Sequence, residues 1–166
     1  MTGENGPPDF DALVGVLDYP MYIVTCADGT RAAGCLVGFA AQCSISPPRF
    51  MVWLSDKNHT REVARGAEVL AVHRLTTAQK DLARLFGGTT GFDADKFARC
   101  RWHRGPRGVP VLDDCPGWFA GEILGREVTG DHVAHLLRPI AAMGGGEAGR
   151  QLGFQEVRDL SPGNEA

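Results

Sequence analysis

The stretch Ala32–Phe50, AAGCLVGFAAQCSISPPRF, decides how the chain is read. It carries no charge between Arg31 and Arg49, is crowded with small residues and stops at two prolines. A bilayer-spanning helix needs ~20 predominantly apolar residues, and Gly34, Gly38, Gln42, Ser44 and Ser46 interrupt this run. It reads instead as a β-strand with its exit loop. Glycine inside a strand marks a close approach to the backbone, because no Cβ stands in the way. Backbone N–H groups freed at an irregular exit around Gln42–Ser46 can then donate to the polar edge of a flat ligand. Pro47 and Pro48 donate nothing and resist helix, so they turn the chain out into the next strand. On spacing alone, a tightly packed barrel interior with a bulge accounts for the same pattern.

Working outward, MYIVTCA (Met21–Ala27) is β-rich and Asp28–Gly29 signals a hairpin turn into the quoted stretch. Before it, Phe10, Leu13, Val14 and Leu17 follow helical spacing behind a possible N-cap at Asp9, and Pro20 ends that helix. After it come a strand at Phe50–Leu54, a short helix at His59–Ala67 and a strand at Val69–Val72. Ala78, Leu82, Leu85 and Phe86 share one helical face, behind a capping box of Thr76 and Gln79. Residues 87–117 hold many Gly, Pro and charged residues and read as a long surface excursion with little regular structure. Strands return at Trp118–Val128 and His132–Ile140, joined through Thr129–Asp131. The expected organisation is a flexible leader at residues 1–8, one domain over 9–140 and a C-terminal tail over 141–166. Strands outnumber helices and the helices are short. A small closed or partly closed β-barrel therefore fits better than a doubly wound sheet.

Composition narrows the function. The 166 residues suit one domain, and 17 basic against 20 acidic residues give a net charge of -3, without the basic stripe of a nucleic-acid surface. The start lacks the pattern of a signal peptide. Five cysteines form no CxxC pair and leave an odd number, as expected of reduced thiols in the cytoplasm. No metal site is expected: His132 and His135, three apart on a strand, point to opposite faces, and Cys100 with His103 lacks a second pair. The glycines of Phe86–Phe97 lack the Gly-Lys-Ser/Thr ending of a P-loop.

Six pieces then occur in order: GCLVGFAAQCSISPPRFMVWLS (Gly34–Ser55), DKNHT (Asp56–Thr60), AQKDLARLFGG (Ala78–Gly88), DKF (Asp95–Phe97), GVPVLDD (Gly108–Asp114) and GDH (Gly130–His132). In this order and spacing the chain resembles the flavin reductase family over Tyr19–Pro139. The resemblance implies a mainly β fold with short helices, a six-stranded split β-barrel of the FMN-binding type. It also implies a homodimer that carries FMN, with FAD as the alternative, and takes hydride from NADH or NADPH. A flavin-dependent monooxygenase is the partner it suggests, with neither nucleic acid nor membrane involved.

By the same resemblance, Leu36, Val37, Gly38, Ala41, Gln42, Cys43 and Ser44 lie along the flavin ring. Cys35, Leu36 and Val37 replace polar residues usual in the family, so ring contacts there fall to the backbone. Lys57, Asn58 and Thr60 form a phosphate-binding turn: a cation, a side-chain amide and a hydroxyl at a helix start, where backbone N–H groups attract anions. His132 stands beside the nicotinamide, as positioning group or proton guide. In the tail, Phe154 is the one counterpart of the family's aromatic stretch. Apolar residues of the excursion (Trp102, Val109, Val111 and Leu112) are expected to be buried against a second copy. The alternatives are a flavin- or heme-binding module without turnover and a flavoenzyme that reduces an organic substrate directly.

Overall fold

The structure is a computed structural model that describes residues 5–89, 95–144, 146 and 149–160. Parts of the expected leader, of the glycine-bearing stretch at 90–94 and of the tail at 145, 147–148 and 161–166 lie outside these residues. Strands β1 (Tyr22–Ala27) and β2 (Ala32–Val37) form an antiparallel hairpin in which Ala27 faces Ala32. The loop is four residues long rather than a two-residue Asp-Gly turn. Asp28 builds it by accepting from the Thr30 N–H (3.0 Å), the Thr30 hydroxyl (2.9 Å) and the Arg31 N–H (2.8 Å). Those bonds to the charged form hold the Asp28 carboxyl well below the usual carboxylate range. Gly29 takes φ +94°, a conformation that glycine adopts without a Cβ penalty.

The quoted stretch does not continue as one strand. It breaks at Gly38–Phe39 and resumes as β3 (Ala40–Ser44), followed by β4 (Arg49–Ser55). After these come β5 (Val69–Arg74), the short β6 (Trp102–Arg104) and β7 (Pro110–Leu112), and the long β8 (Gly117–Val128) and β9 (His132–Met143). Seven strands form one sheet in the order β2-β1-β5-β8-β9-β4-β3, while β6 and β7 pair separately. This corrects the expectation of six strands, because the break at Gly38 makes two strands of a segment read as one. A flat sheet of that width would hold its edges roughly 29 Å apart at ~4.8 Å per strand. Yet β2 and β3, at opposite edges, are joined by Gly38 and Phe39 alone, which reach only about 11 Å. The sheet therefore rolls up, but its edge strands do not pair with each other, and the roll stays open.

Inside the roll, Val24, Cys35, Val52, Leu54, Val72 and Leu137 form one apolar cluster. Helix α2 (His59–Ala64) closes one end, started by Asn58, whose side chain accepts from the Thr60 N–H at 2.8 Å. Helix α3 (Lys80–Gly88) packs outside on β2 behind the predicted capping box, with the Gln79 side chain accepting from the Thr76 N–H at 2.8 Å. Its buried residues are Ala83 and Phe86, with Leu82 and Leu85 half-buried, whereas Ala78 is exposed. Helix α1 (Phe10–Gly15) buries nothing and leaves Leu13 63% exposed.

The excursion is not a surface loop. Phe97, Val109, Val111, Leu112 and Cys115 are all buried within the one chain, where the sequence suggested burial against a twin. Lys96 anchors it by donating to the carbonyls of Gly34 (3.0 Å) and Phe86 (2.9 Å). The tail also joins the fold: Met21 N–H donates to the Leu152 carbonyl at 2.9 Å, and Leu152 is fully buried. No helix among the described residues is long and apolar enough to cross a membrane.

Fully buried His73 pins β7 to the sheet. Its Nδ1–H donates to the Ile23 carbonyl (2.9 Å), and its Nε2 accepts from the Leu112 N–H (3.0 Å), so the neutral ring satisfies both partners. Burial lowers the pKa of His73, and likewise of His135 on β9, to about 4. Unfolded histidine titrates near ~6.5. Between these values the unfolded chain binds more protons, so stability is full above the upper value and falls as pH drops toward the lower. The slope is about 1.4 kcal/mol per pH unit for each ring. Urea midpoints should therefore decline steadily from about pH 6.5 to pH 4.5, and a flat profile would contradict the neutral burial of these rings.

Candidate functional site

The break in the quoted stretch opens a cleft of about 230 Å³ at the corner where the two sheet edges meet. Its floor is Cys35, Leu36, Val37 and Gly38 of β2 and its exit, facing Trp53, Leu54 and Ser55 of β4. Asn58, His132, Tyr19, Met21, Phe39 and Phe154 complete its lining. Six residues singled out from the sequence thus meet here: Leu36, Val37, Gly38, Asn58, His132 and Phe154.

The remaining candidates are placed elsewhere. Ala41, Gln42, Cys43 and Ser44 lie on β3, beyond Phe39; the first three are exposed and Ser44 is half-exposed. The expected irregular exit is there: the β3–β4 register slips between Gln42 and Ser44, leaving Cys43 unpaired in the ladder. The Ser46–Pro47 peptide that follows is cis. Lys57 is exposed on the turn before α2. Thr60 is 1% exposed and turned inward, where its hydroxyl meets the buried Cys35 thiol rather than solvent.

His132 owes its place to the β8–β9 turn. Thr129 N–H donates to the His132 carbonyl at 3.0 Å, and Gly130 takes φ +143° between them. In the next ladder His132 sits directly opposite Ser55. Its Nδ1 lies 2.6 Å from the Asp131 carboxylate, which can only accept, so the proton stands on Nδ1 and Nε2 is left as the acceptor. The hydrogen bond from His132 holds the Asp131 carboxyl below its ordinary value. Asp131 is fixed in turn by its carbonyl, which accepts from Asp56 N–H at 2.8 Å.

Apart from Phe154, the aromatic wall escapes a sequence reading because its members are far apart in the chain. Tyr19 stacks on Phe154 with centroids 4.8 Å apart, and Phe39 tilts against Tyr19 at 6.1 Å and against His132 at 5.1 Å. Ser55 was likewise missed. Its Oγ is buried in the cleft wall without a hydrogen-bond partner, an orphaned polar atom that a ligand's polar edge would satisfy. Side-chain-poor floor, apolar walls and few polar groups suit a flat heteroaromatic ring.

Gly38 is held to glycine by this wall: a Cβ there would come within 2.4 Å of Tyr19 Cε2 and 3.2 Å of the Met21 sulfur. Gly38→Ala should push Tyr19 off Phe154 and loosen the docked tail. Hydrogen exchange of the Met21 and Phe154 amides, bonded to Leu152 and Tyr19, should then speed up by about tenfold or more. Unchanged protection would show that the wall tolerates the methyl.

The flavin reductase like domain matches residues 14–159. The FMN reductase (NADH) RutF of Methylorubrum extorquens is 32% identical over 125 residues, covering 72% of this chain and 60% of that protein. The 4-hydroxyphenylacetate 3-monooxygenase reductase component of Klebsiella oxytoca is 32% identical over 98 residues, 57% of this chain and 58% of that one. The chain spans about half the length of the curated relatives it matches. A flavin reductase domain protein from Arthrobacter sp. FB24 has the same fold, with a TM-score of 0.80 at 22% identity, covering 95% of this chain and 94% of its own. With the family matched across nearly the whole chain, from α1 to the docked tail, this protein belongs to the flavin reductase like domain family.

Proposed function

We propose that this chain is an NAD(P)H-dependent flavin oxidoreductase that passes hydride from a reduced nicotinamide to FMN, with FAD as the alternative flavin. The observation that carries this reading is the cleft, where a side-chain-poor strand faces an orphaned Ser55 hydroxyl and a histidine of assigned tautomer. The residues present fit a flavin, which supplies the hydride-accepting chemistry when bound. Leu36, Val37 and Gly38 admit the ring close to the backbone, and Ser55 offers a hydroxyl to its polar edge. Phe39, Trp53 and the Tyr19–Phe154 stack exclude water around it. The outer edge of β3, from Ala41 to Ser44, is unpaired in the sheet and offers backbone groups to the same ligand. Lys57 and the Asn58 amide serve the phosphate, while inward-facing Thr60 acts through the helix start it helps to form. His132 orients the nicotinamide, its Nε2 able to accept a proton or a hydrogen bond.

The cleft is smaller than the ~300–1,000 Å³ of a self-contained ligand pocket, and it lies beside the open edge of β3 and the exposed side chains of Phe39 and Ile45. A two-fold homodimer that adds the missing wall is the assembly proposed. A flavin-dependent monooxygenase is the proposed consumer of the reduced flavin, by analogy with the named reductase component. The five unpaired cysteines suit a reducing, cytoplasmic setting.

Anaerobic stopped-flow reduction of bound flavin by NADH and by NADPH tests the activity. His132→Ala should leave flavin affinity near its starting value and slow reduction by about 10- to 100-fold. Flavin loss in step with activity would make His132 a turn residue only. Lys57→Ala should weaken FMN by about tenfold, the equivalent of a charge-assisted hydrogen bond, and spare riboflavin. Equal weakening of both would remove the phosphate role. Light scattering should give twice the 17.8 kDa of one chain, and a monomer at micromolar concentration would defeat the dimeric site.

A further inference from the structure

Lys96, from the DKF piece of the sequence, is a buried cation that the site as described does not use. It is 4% exposed and donates to the Gly34 carbonyl of the edge strand β2 and to the Phe86 carbonyl in the last turn of α3. Two neutral acceptors satisfy hydrogen bonds but do not balance the charge. Among the described residues no carboxylate pairs with it: Asp95, beside it in the chain, accepts from the Phe97 N–H at 3.0 Å instead. The Cys35 thiol adds no counter-charge, since burial pushes its pKa up and keeps it protonated. The Phe86 ring, with its centroid 5.5 Å from Nζ, offsets a part of the desolvation. A buried ammonium without an opposite charge is still costly to hold. A neutral donor would anchor the excursion at a lower cost.

The hydrogen bond to Gly34 fixes this charge relative to the cleft. Nζ lies 3.0 Å from the Gly34 oxygen, and the Cys35 nitrogen is one C=O and one C–N bond further on. The cation therefore stands within about 6 Å of the first residue of the cleft floor. Cys35 is as deeply buried as Lys96, so protein rather than solvent lies between the charge and the floor. A flat ring in van der Waals contact with Cys35, ~3.5–4 Å from it, sits about 10 Å or less from the ammonium. At that separation and an effective dielectric of ~20, a unit charge shifts an equilibrium that creates an opposite unit charge by about tenfold.

We propose that Lys96 is the electrostatic counterpart of the reduced flavin, a residue that favours the product of hydride transfer without touching it. This rests on the flavin reading of the cleft. The hydride carries two electrons and one proton. The nicotinamide that loses it becomes a cation, and the neutral flavin ring that gains it becomes an anion, with the charge shared between N1 and the C2 oxygen. The oxidised ring carries no charge, so the Lys96 field separates the two states instead of strengthening the binding of both equally. A cation already fixed by two carbonyls needs no reorganisation while the charge develops.

Redox equilibrium of FMN on the full chain, rather than turnover, tests this role. Lys96→Gln keeps an N–H donor and removes the charge. It should bind oxidised FMN within about twofold of the unaltered chain and reduced FMN about tenfold more weakly, which lowers the two-electron midpoint potential by about 30 mV. Lys96→Arg, which keeps the charge, should hold the potential near its starting value. A further arm needs no substitution. In the unaltered chain the bound reduced flavin should stay deprotonated at N1 at a pH where free reduced flavin is protonated, as its absorbance and the N1 ¹⁵N resonance record. An unchanged potential in Lys96→Gln, whatever its thermal stability, would make Lys96 an anchor alone and overturn the proposal. So would protonation of the bound flavin at the same pH as the free one. An unaltered chain that binds neither form of FMN would defeat the flavin reading itself, and the proposal with it.

Discussion

The constraint on which this architecture rests is the two-residue link between β2 and β3. A seven-stranded antiparallel sheet is free to be an open blade, but here its opposite edges are joined by Gly38 and Phe39 alone. That link cannot stretch across a flat sheet, so curvature is forced on every strand between. Long β8 and β9 absorb the bend with register slips at Ala120–Gly121 and Ile123–Gly125, as bulges do. Gly121 is needed at that bend, since a Cβ would sit 2.8 Å from that of Leu137. The same link opens the cleft, because two edges that meet at one corner without pairing leave a wedge between them.

Buried polar groups then divide into those the fold satisfies and those it does not. His73 and Lys96 are satisfied, and each ties the excursion to the sheet through backbone partners. Their hydrogen bonds make the excursion part of the core, since leaving either group unpaired would cost on the order of 1–3 kcal/mol or more. Ser55 Oγ, Trp118 Nε1, His135 Nε2 and the Arg61 Nε and Nη1 find no hydrogen-bond partner among the described residues. Of these, Ser55 and His135 lie on opposite faces of the β4–β9 ladder.

Sequence reading reached several local features because their causes are local. The Thr76–Gln79 capping box, the Asn58 helix start, the β8–β9 turn at Gly130 and the register slip at Cys43 each depend on residues a few positions apart. The excursion was misread for the converse reason. Its glycines, prolines and charges look like surface, yet Phe97, Val111 and Leu112 are buried by strands distant in the chain, and composition does not record that. Ala78 carried the right spacing but fell on the exposed side, because the first turn of its segment is a tighter 3₁₀ turn that rotates it away from the α3 stripe.

What the sequence by itself determined is the alphabet of the site: a strand thin in side chains, a capped turn with Lys57 and Asn58, and a histidine beside an aspartate. Spacing within each piece conveys chemistry, and the order of the pieces conveys the family. Only the tertiary structure decided which pieces share a cavity. Leu36, Val37, Gly38, Asn58 and His132 converge with Tyr19, Phe39, Ser55 and Phe154, whereas Thr60 turns into the core and Ala41–Ser44 stay on an outer edge. The reason is geometric: which side of a strand or helix faces a cleft depends on what packs behind it, and in this rolled sheet that neighbour comes from a distant part of the chain.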